Sequence, residues 1–146
     1  AHQYYAHPRN LFWSLIARIY GLDSGLPYRQ RLTQLQQHGL ALWDVLASCE
    51  RRGSLDSAIE HRTAVPNDIP GLLQRCRGIG RICCNGGTAH AALRRCFVTQ
   101  LSHDDAGAEC LAGVPLLRLP STSPANASLP PARKLAAWKA ALGCLP

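Results

Sequence analysis

The sequence predicts an α/β fold, a small parallel sheet with helices on both faces. Three observations predict it. Short apolar runs alternate with stretches of helical periodicity along the chain. A strand, a Gly-Gly turn and a helix follow one another at Arg81–Cys84, Asn85-Gly86-Gly87 and Ala89–Phe97. The length of 146 residues with 47% hydrophobic content supports one domain with a core and is too small for two.

Each element has its own signal. Leu11, Phe12, Leu15, Ile16 and Ile19 recur on one face of a helix, with Asn10 placed as its N-cap and Gly21 as its stop. Pro27 to about His38 reads as a second, more polar helix that buries Leu32 and Leu35 and is closed by Gly39. Leu40–Val45 is a short apolar run after a glycine, expected to be a buried strand ending at Asp44. The segment from Arg51 to Ser54 is expected to be a solvent loop. Pro66-Asn67-Asp68-Ile69-Pro70 is a turn that caps a short helix through Leu72, Leu73 and Cys76.

Beyond the Gly-Gly turn, Ala89, Ala92, Leu93, Cys96 and Phe97 hold helical spacing. Periodicity fails from Val98 to Gly113, which predicts a loop. Val114–Leu119 is a third strand, and Pro120-Ser121-Thr122-Ser123-Pro124-Ala125-Asn126 is a rigid polar loop after it. Leu135, Trp138 and Leu142 define a last helix entered through Pro130 and Pro131. Trp13, Trp43 and Trp138 read as core.

Composition narrows the classes of function. Lys plus Arg number 16 against nine Asp plus Glu, a net charge of +7 that favours a polyanionic partner. Arginine, the better phosphate fork, carries nearly all of it, since lysine occurs only at Lys134 and Lys139. No stretch reaches the roughly 20 apolar residues of a membrane span, so no membrane partner is expected. The seven cysteines are scattered without a C-x-x-C pair, which gives zinc or an iron–sulfur cluster no support and suits reduced thiols in a cytoplasmic protein.

In parallel α/β sheets, ligands bind outside the carboxyl ends of the strands. Asp44, Asn85 and the Pro120–Asn126 loop all fall at predicted strand ends, so one shared site from three distant segments is expected. The block Tyr4-Tyr5-Ala6-His7-Pro8-Arg9-Asn10-Leu11-Phe12-Trp13 has the composition of a ligand-facing loop set on a helix.

With those segments in place the chain resembles the uracil-DNA glycosylase superfamily, in its hypoxanthine (deoxyinosine)-DNA glycosylase branch, often called family 6. The resemblance rests on Tyr4–Asn10 with Phe12-Trp13, on Ala41–Leu46 with Gly53-Ser54 and Asp56, on Asn85-Gly86, and on Leu119–Ala125. It implies a three-layer α/β/α sandwich around a small, mostly parallel sheet, in a single domain spanning 1–146. It also implies a monomeric base-excision repair enzyme that flips a deaminated base out of DNA. Hypoxanthine comes first, with uracil or xanthine as further bases, and the N-glycosidic bond is hydrolysed without a metal or other cofactor.

Site roles follow from the same resemblance. Tyr5 matches the aromatic of a Phe/Tyr-Ala-His-Pro-x-Asn stretch, whose ring stacks on the flipped base. Asn10 is the expected catalytic side chain, orienting water or polarising the sugar–base bond, since an amide acts by positioning and electrostatics. Asp44 occupies the place of a base-reading Asn and would accept from a purine N1–H. Asn85 is a second base or water contact, and His7 a candidate substrate contact. Ser121, Thr122, Ser123, Pro124 and Ala125 match the loop that enters the minor groove, with Ser121 and Ser123 holding phosphates. Leu119 stands where uracil-specific relatives place a histidine, so that stabilisation of a leaving uracil anion is not expected.

The superfamily's first motif, a central strand running into a Gly-Ser-Met-Pro-Gly-like water-binding loop, has no counterpart before Tyr4. An N-terminally truncated domain lacking that strand is therefore expected. A competing reading is a non-catalytic nucleic-acid-binding domain or inactive fragment that keeps the basic face and the Pro120–Asn126 loop. Each site residue also has a plainer role open to it. Asn10 and Asp44 could be caps, Tyr5 a packing residue, Asn85-Gly86 a tight turn, His7 a loop histidine bonded to backbone, and Arg51-Arg52 and His103-Asp104-Asp105 solvated charges.

Overall fold

The computed structural model describes residues 3–51 and 59–143, with side chains described outside 49–63. The expected roles of the Arg51-Arg52 pair and of Gly53, Ser54 and Asp56 lie outside the described side chains. Two compact units make up the chain, one of Ala1–Trp43 with Leu119–Pro146 and the other of Asp44–Arg118. The described residues form five α-helices with a two-stranded and a four-stranded sheet, so the α/β class holds.

The first unit is helical. Helix α1 (Phe12–Tyr20) buries Phe12, Leu15 and Ile16, the face its spacing marks, and ends at Gly21 with φ 69°. Helix α2 (Tyr28–Gln37) is polar and fully buries only Leu35; Leu32 is half-buried. Its predicted terminator, Gly39, has φ 71°. Helix α5 (Pro131–Leu142) starts with proline at a position where an N–H would have no partner. It buries Lys134, Trp138, Ala141 and Leu142, at i, i+4, i+7 and i+8. Tyr20 on α1 donates its hydroxyl to the Leu142 carbonyl at 3.1 Å.

The second unit holds the strands. Strands β1 (Leu46–Arg51) and β2 (Ile59–Pro66) pair antiparallel. Helix α3 (Ile69–Arg75) follows, capped as predicted by Asp68, whose Oδ1 accepts from Gly71 N at 2.9 Å. Strand β3 (Ile82–Asn85), helix α4 (Gly87–Cys96), and strands β4 (Leu101–His103), β5 (Glu109–Leu111) and β6 (Val114–Leu119) complete it. The four-stranded sheet runs β3-β6-β5-β4. Ile69, Leu73, Cys84, Leu93, Phe97, Leu111 and Leu116 form its core, drawing one residue or more from α3, α4 and three strands. Each large apolar side chain so buried contributes about 1.5–3 kcal/mol.

Three expectations are corrected. The strand expected over Leu40–Val45 lies further on, at Leu46–Arg51, and Asp44 precedes it rather than ending one. The reason is local pairing: Leu46 registers with Pro66, and Asn67 holds the chain just before β1, its N–H donating to Val45 O and its Nδ2 to Asp44 O. Trp43, expected in the core, is 46% exposed. The segment read as loop from Val98 to Gly113 contains β4 and β5, which pair antiparallel with each other and, through β5, with β6, where a mostly parallel sheet was expected; the short hairpin turns between these strands impose the antiparallel pairing.

Two turns make that last correction intelligible. Ala112 and Gly113, with φ 50° and 79°, close a two-residue hairpin between Leu111 and Val114. Asp104 Oδ1 accepts from Ala106 N and Ala108 N and closes the β4–β5 turn. Strands of three residues are too short to display alternation, so their turns were the only local signal.

Candidate active site

The aromatic block forms a fixed surface at the start of α1. Tyr5 has φ 57°, the left-handed region that a bulky residue seldom occupies. Its ring stacks on Phe12 with centroids 4.1 Å apart and planes 27° apart. Phe12 in turn meets Trp13 and Trp138 edge-on. Trp13 Nε1 donates to Tyr4 O at 3.1 Å, and Tyr4 N donates to the Tyr28 hydroxyl at 3.0 Å. Arg31 lies over the Trp13 ring, 4.5 Å from its centroid. Backbone strain at one residue persists where the surroundings over-determine it, and these contacts do so for Tyr5.

Asn10 is half-buried in this frame and has its carbonyl committed. Phe12 N donates to Asn10 Oδ1 at 3.0 Å, and Asn10 N donates to His7 O at 2.8 Å. The predicted capping role is present, displaced by one residue: helix α1 begins at Phe12, and Asn10 supplies the acceptor for its first N–H. An N–H donor requires an acceptor, so the amide orientation is assigned by this bond. Asn10 Nδ2 therefore points away from the helix as a donor of two hydrogens. His7 is exposed, and its Nδ1 accepts from Arg9 N at 3.1 Å, which assigns the Nε2–H tautomer to the neutral ring.

The Pro120–Asn126 loop joins the same surface. Leu11 N, next to Asn10, donates to Thr122 O at 3.0 Å. Thr122 is fully buried, whereas Ser121, Ser123 and Pro124 are half-buried and Ala125 is exposed. Ser121 Oγ accepts from Ser123 N and Ser123 Oγ from Ala125 N, both at 3.2 Å. Each hydroxyl thereby keeps its own O–H for an outside acceptor. The backbone N–H groups of Ser123 and Ala125 are engaged by these serines.

Asp44 and Asn85 belong to the second unit. Asp44 is exposed, its carbonyl held by Asn67 Nδ2 at 2.8 Å. Asn85 is the last residue of β3, as its strand-end placement predicted, and is half-buried. Gly86 follows with φ 100° and ψ 171°, a conformation essentially confined to glycine. A Cβ on Gly87 would meet Arg118 Nη2 at 2.9 Å, so the second glycine admits the guanidinium to the first turn of α4. His103, Asp104 and Asp105 are exposed, with Asp104 engaged in its turn.

Sequence reasoning missed two features here. Arg118 was not connected to the Gly-Gly doublet, although a second glycine at a helix start is a sign of close approach. Lys134, 2% exposed, donates Nζ to Asn126 O at 2.6 Å, and Trp138 Nε1 donates to Pro120 O at 2.9 Å. Their i, i+4 spacing was visible, but not that both would reach one loop.

Two thiols, half-buried Cys83 and buried Cys84, precede Asn85 on β3. Burial pushes the Cys84 thiol up to about 12, with smaller contributions from Cys83 and from Glu109. Burial raises Cys83 as well, opposed by Arg81. Such thiols act as small apolar core groups rather than nucleophiles.

No family model matches the chain. The chain is 42% identical over 60 residues to a hypoxanthine DNA glycosylase of Methanosarcina barkeri, covering 40% of this chain and 38% of that protein. It is 35% identical over 88 residues to a hypoxanthine DNA glycosylase of Methanosarcina acetivorans, covering 60% and 54%. The matches thus span about half or less of these relatives. A solution NMR structure of a Methanosarcina acetivorans protein, assigned by name to the uracil DNA glycosylases, superposes with a TM-score of 0.71. That match has 30% identity and covers 96% of this chain and 78% of the other. The fold is that of a uracil-DNA-glycosylase-like α/β protein. The chain belongs to the uracil-DNA glycosylase superfamily, in its hypoxanthine branch.

Proposed function

We propose that this protein is a DNA glycosylase that hydrolyses the N-glycosidic bond of hypoxanthine, with uracil and xanthine as further candidate bases. The observation that carries the proposal is the fixed amide of Asn10. With Oδ1 occupied by Phe12 N, its Nδ2 hydrogens are the part available to substrate. A donor aimed at a departing purine stabilises the negative charge that develops on it as the glycosidic bond breaks. The same donor would be a poor activator of a water nucleophile, because it would occupy the water's lone pair. Asn10 is therefore proposed to act on the leaving base or the sugar–base bond.

The remaining parts have complementary roles. The Tyr5 ring, supported by Phe12, is proposed to stack on the extruded base. Asp44 accepts from purine N1–H, which hypoxanthine has and adenine lacks. Asn85 and the His7 Nε2–H are further polar contacts to the base. Ser121 and Ser123 donate their hydroxyls to backbone phosphates, with Thr122, Pro124 and Ala125 shaping the loop against the groove. These contacts position the protein without reading sequence. The excess of arginine adds salt-dependent attraction to DNA.

The test is alkaline strand cleavage of hypoxanthine- and uracil-containing duplexes by the full-length wild-type protein and by Asn10→Ala. Abasic product from the wild type, lost in the variant, is the expected result. Duplex binding without any abasic product would favour a non-catalytic nucleic-acid-binding protein.

A further inference from the structure

We propose that Lys134 is a positioning residue for DNA phosphates, acting on the Pro120–Asn126 loop from within the protein. The inference rests on the reading of that loop as a DNA contact. An ammonium that is 2% exposed is costly to bury, and its one hydrogen bond among the described residues goes to Asn126 O at 2.6 Å. A structural clamp of that kind does not need a charge, because the neighbouring indole of Trp138 clamps Pro120 O without one.

Asn126 connects the ammonium to the serines. Its N–H donates to Ser123 O at 3.1 Å and its Nδ2 reaches Ser121 O at 3.4 Å. Lys134 thus holds the residue that ties down both serine carbonyls, while both serine hydroxyls accept backbone N–H groups and keep a hydrogen to donate. With Trp138 at one end, Lys134 at the other and Leu11 N on Thr122 O between them, the carbonyls of Pro120, Thr122 and Asn126 are held by the rest of the protein. Their dipoles are thereby kept from competing with an incoming phosphate. A fixed positive charge behind the loop opposes the desolvation cost of bringing an anion to it.

The experiment compares wild type, Lys134→Met and Asn126→Ala in the full-length protein, with an undamaged duplex as the probe. Methionine fills a similar volume without charge, so the cost of losing the carbonyl bond is offset by the desolvation no longer needed. The melting temperature is expected to stay within about 5 °C. Duplex affinity is expected to fall about tenfold in both variants, with the loss appearing in KM rather than in kcat on a damaged duplex. Because Lys134 is buried behind the loop and makes no direct phosphate contact, the slope of log Kd against log salt is expected to be retained; a lost direct phosphate contact would lower it by about 0.9. Unchanged affinity in either folded variant, a lowered salt slope, or a wild type that does not bind duplex overturns the proposal. A wild type that binds with this dependence yet releases no base upholds it and overturns the glycosylase reading instead.

Discussion

Phe12 N donates to Asn10 Oδ1 at 3.0 Å, so the side chain that starts helix α1 also presents its Nδ2 hydrogens away from it. Structural and chemical duties are thus divided between the two ends of one amide. Asn10→Asp keeps the acceptor, favoured at a helix N-terminus, and removes the donor. Its melting temperature is expected to equal or exceed that of wild type, while single-turnover excision falls about 100-fold or more. Asn10→Ala is expected to lose about 1 kcal/mol of stability as well. An aspartate variant with excision within fivefold of wild type would show that the donor is not the catalytic part.

At Tyr5, strain and stacking oppose each other. Glycine at φ 57° relieves a backbone penalty of about 1 kcal/mol that alanine retains. Tyr5→Gly is therefore expected to be more stable than Tyr5→Ala in denaturant unfolding, although both lose the Phe12 stack. Both are expected to bind a hypoxanthine duplex about tenfold or more weakly relative to undamaged DNA, from the lost base stacking. Tyr5→Phe, which keeps the ring, should retain that preference.

Ser121 and Ser123 are expected to contribute affinity without base discrimination. The double alanine variant should weaken binding to damaged and undamaged duplexes by the same factor, about tenfold, in a fluorescence anisotropy titration. A loss confined to damaged DNA would place these serines at the base instead.

Gly86 has φ 100° and ψ 171°, and it is buried. Gly86→Ala is expected to cost roughly 1–3 kcal/mol by chemical denaturation, because the new Cβ forces the Asn85–Gly87 turn into a disfavoured conformation. A smaller effect would mean that the turn relaxes freely, which would remove the fixed placement of Asn85.

The Cys84 thiol, held up to about 12 by burial, should resist alkylation in the native state, while Cys76 is exposed to the reagent. Mass spectrometry of partially alkylated protein reads the difference, expected to exceed 100-fold at pH 8. The sign of the linkage is fixed by the shift. Between the ordinary thiol value of 9.0 and about 12, the unfolded chain loses this proton and the folded chain keeps it. The Cys84 contribution to stability is complete below about 9 and is lost as pH rises toward 12.

How far the sequence could be read depended on the range of the interactions involved. Helices α1, α4 and α5 and strand β6 were legible because periodicity, glycine stops and prolines act within a few residues. Asn10 as a cap acceptor and Asn85 at a strand end followed from the same local rules. Strands β4 and β5 were not legible, because three-residue strands are defined by their partners. The position of β1 was misread for a related reason. Asn67, 23 positions from Asp44 in sequence, and the β2 register decide where the chain becomes extended.

The sequence by itself determined the α/β class, the helix faces, the basic charge and the motif that places the chain among the uracil-DNA glycosylases. All of these are carried by residue type and short spacing. Only the tertiary structure decided which atom of Asn10 is available, that Tyr5 lies on Phe12, and that Lys134 is buried behind the serine loop. Those outcomes depend on which groups meet across long sequence separations, where each hydrogen-bond donor must find an acceptor and each buried charge a partner.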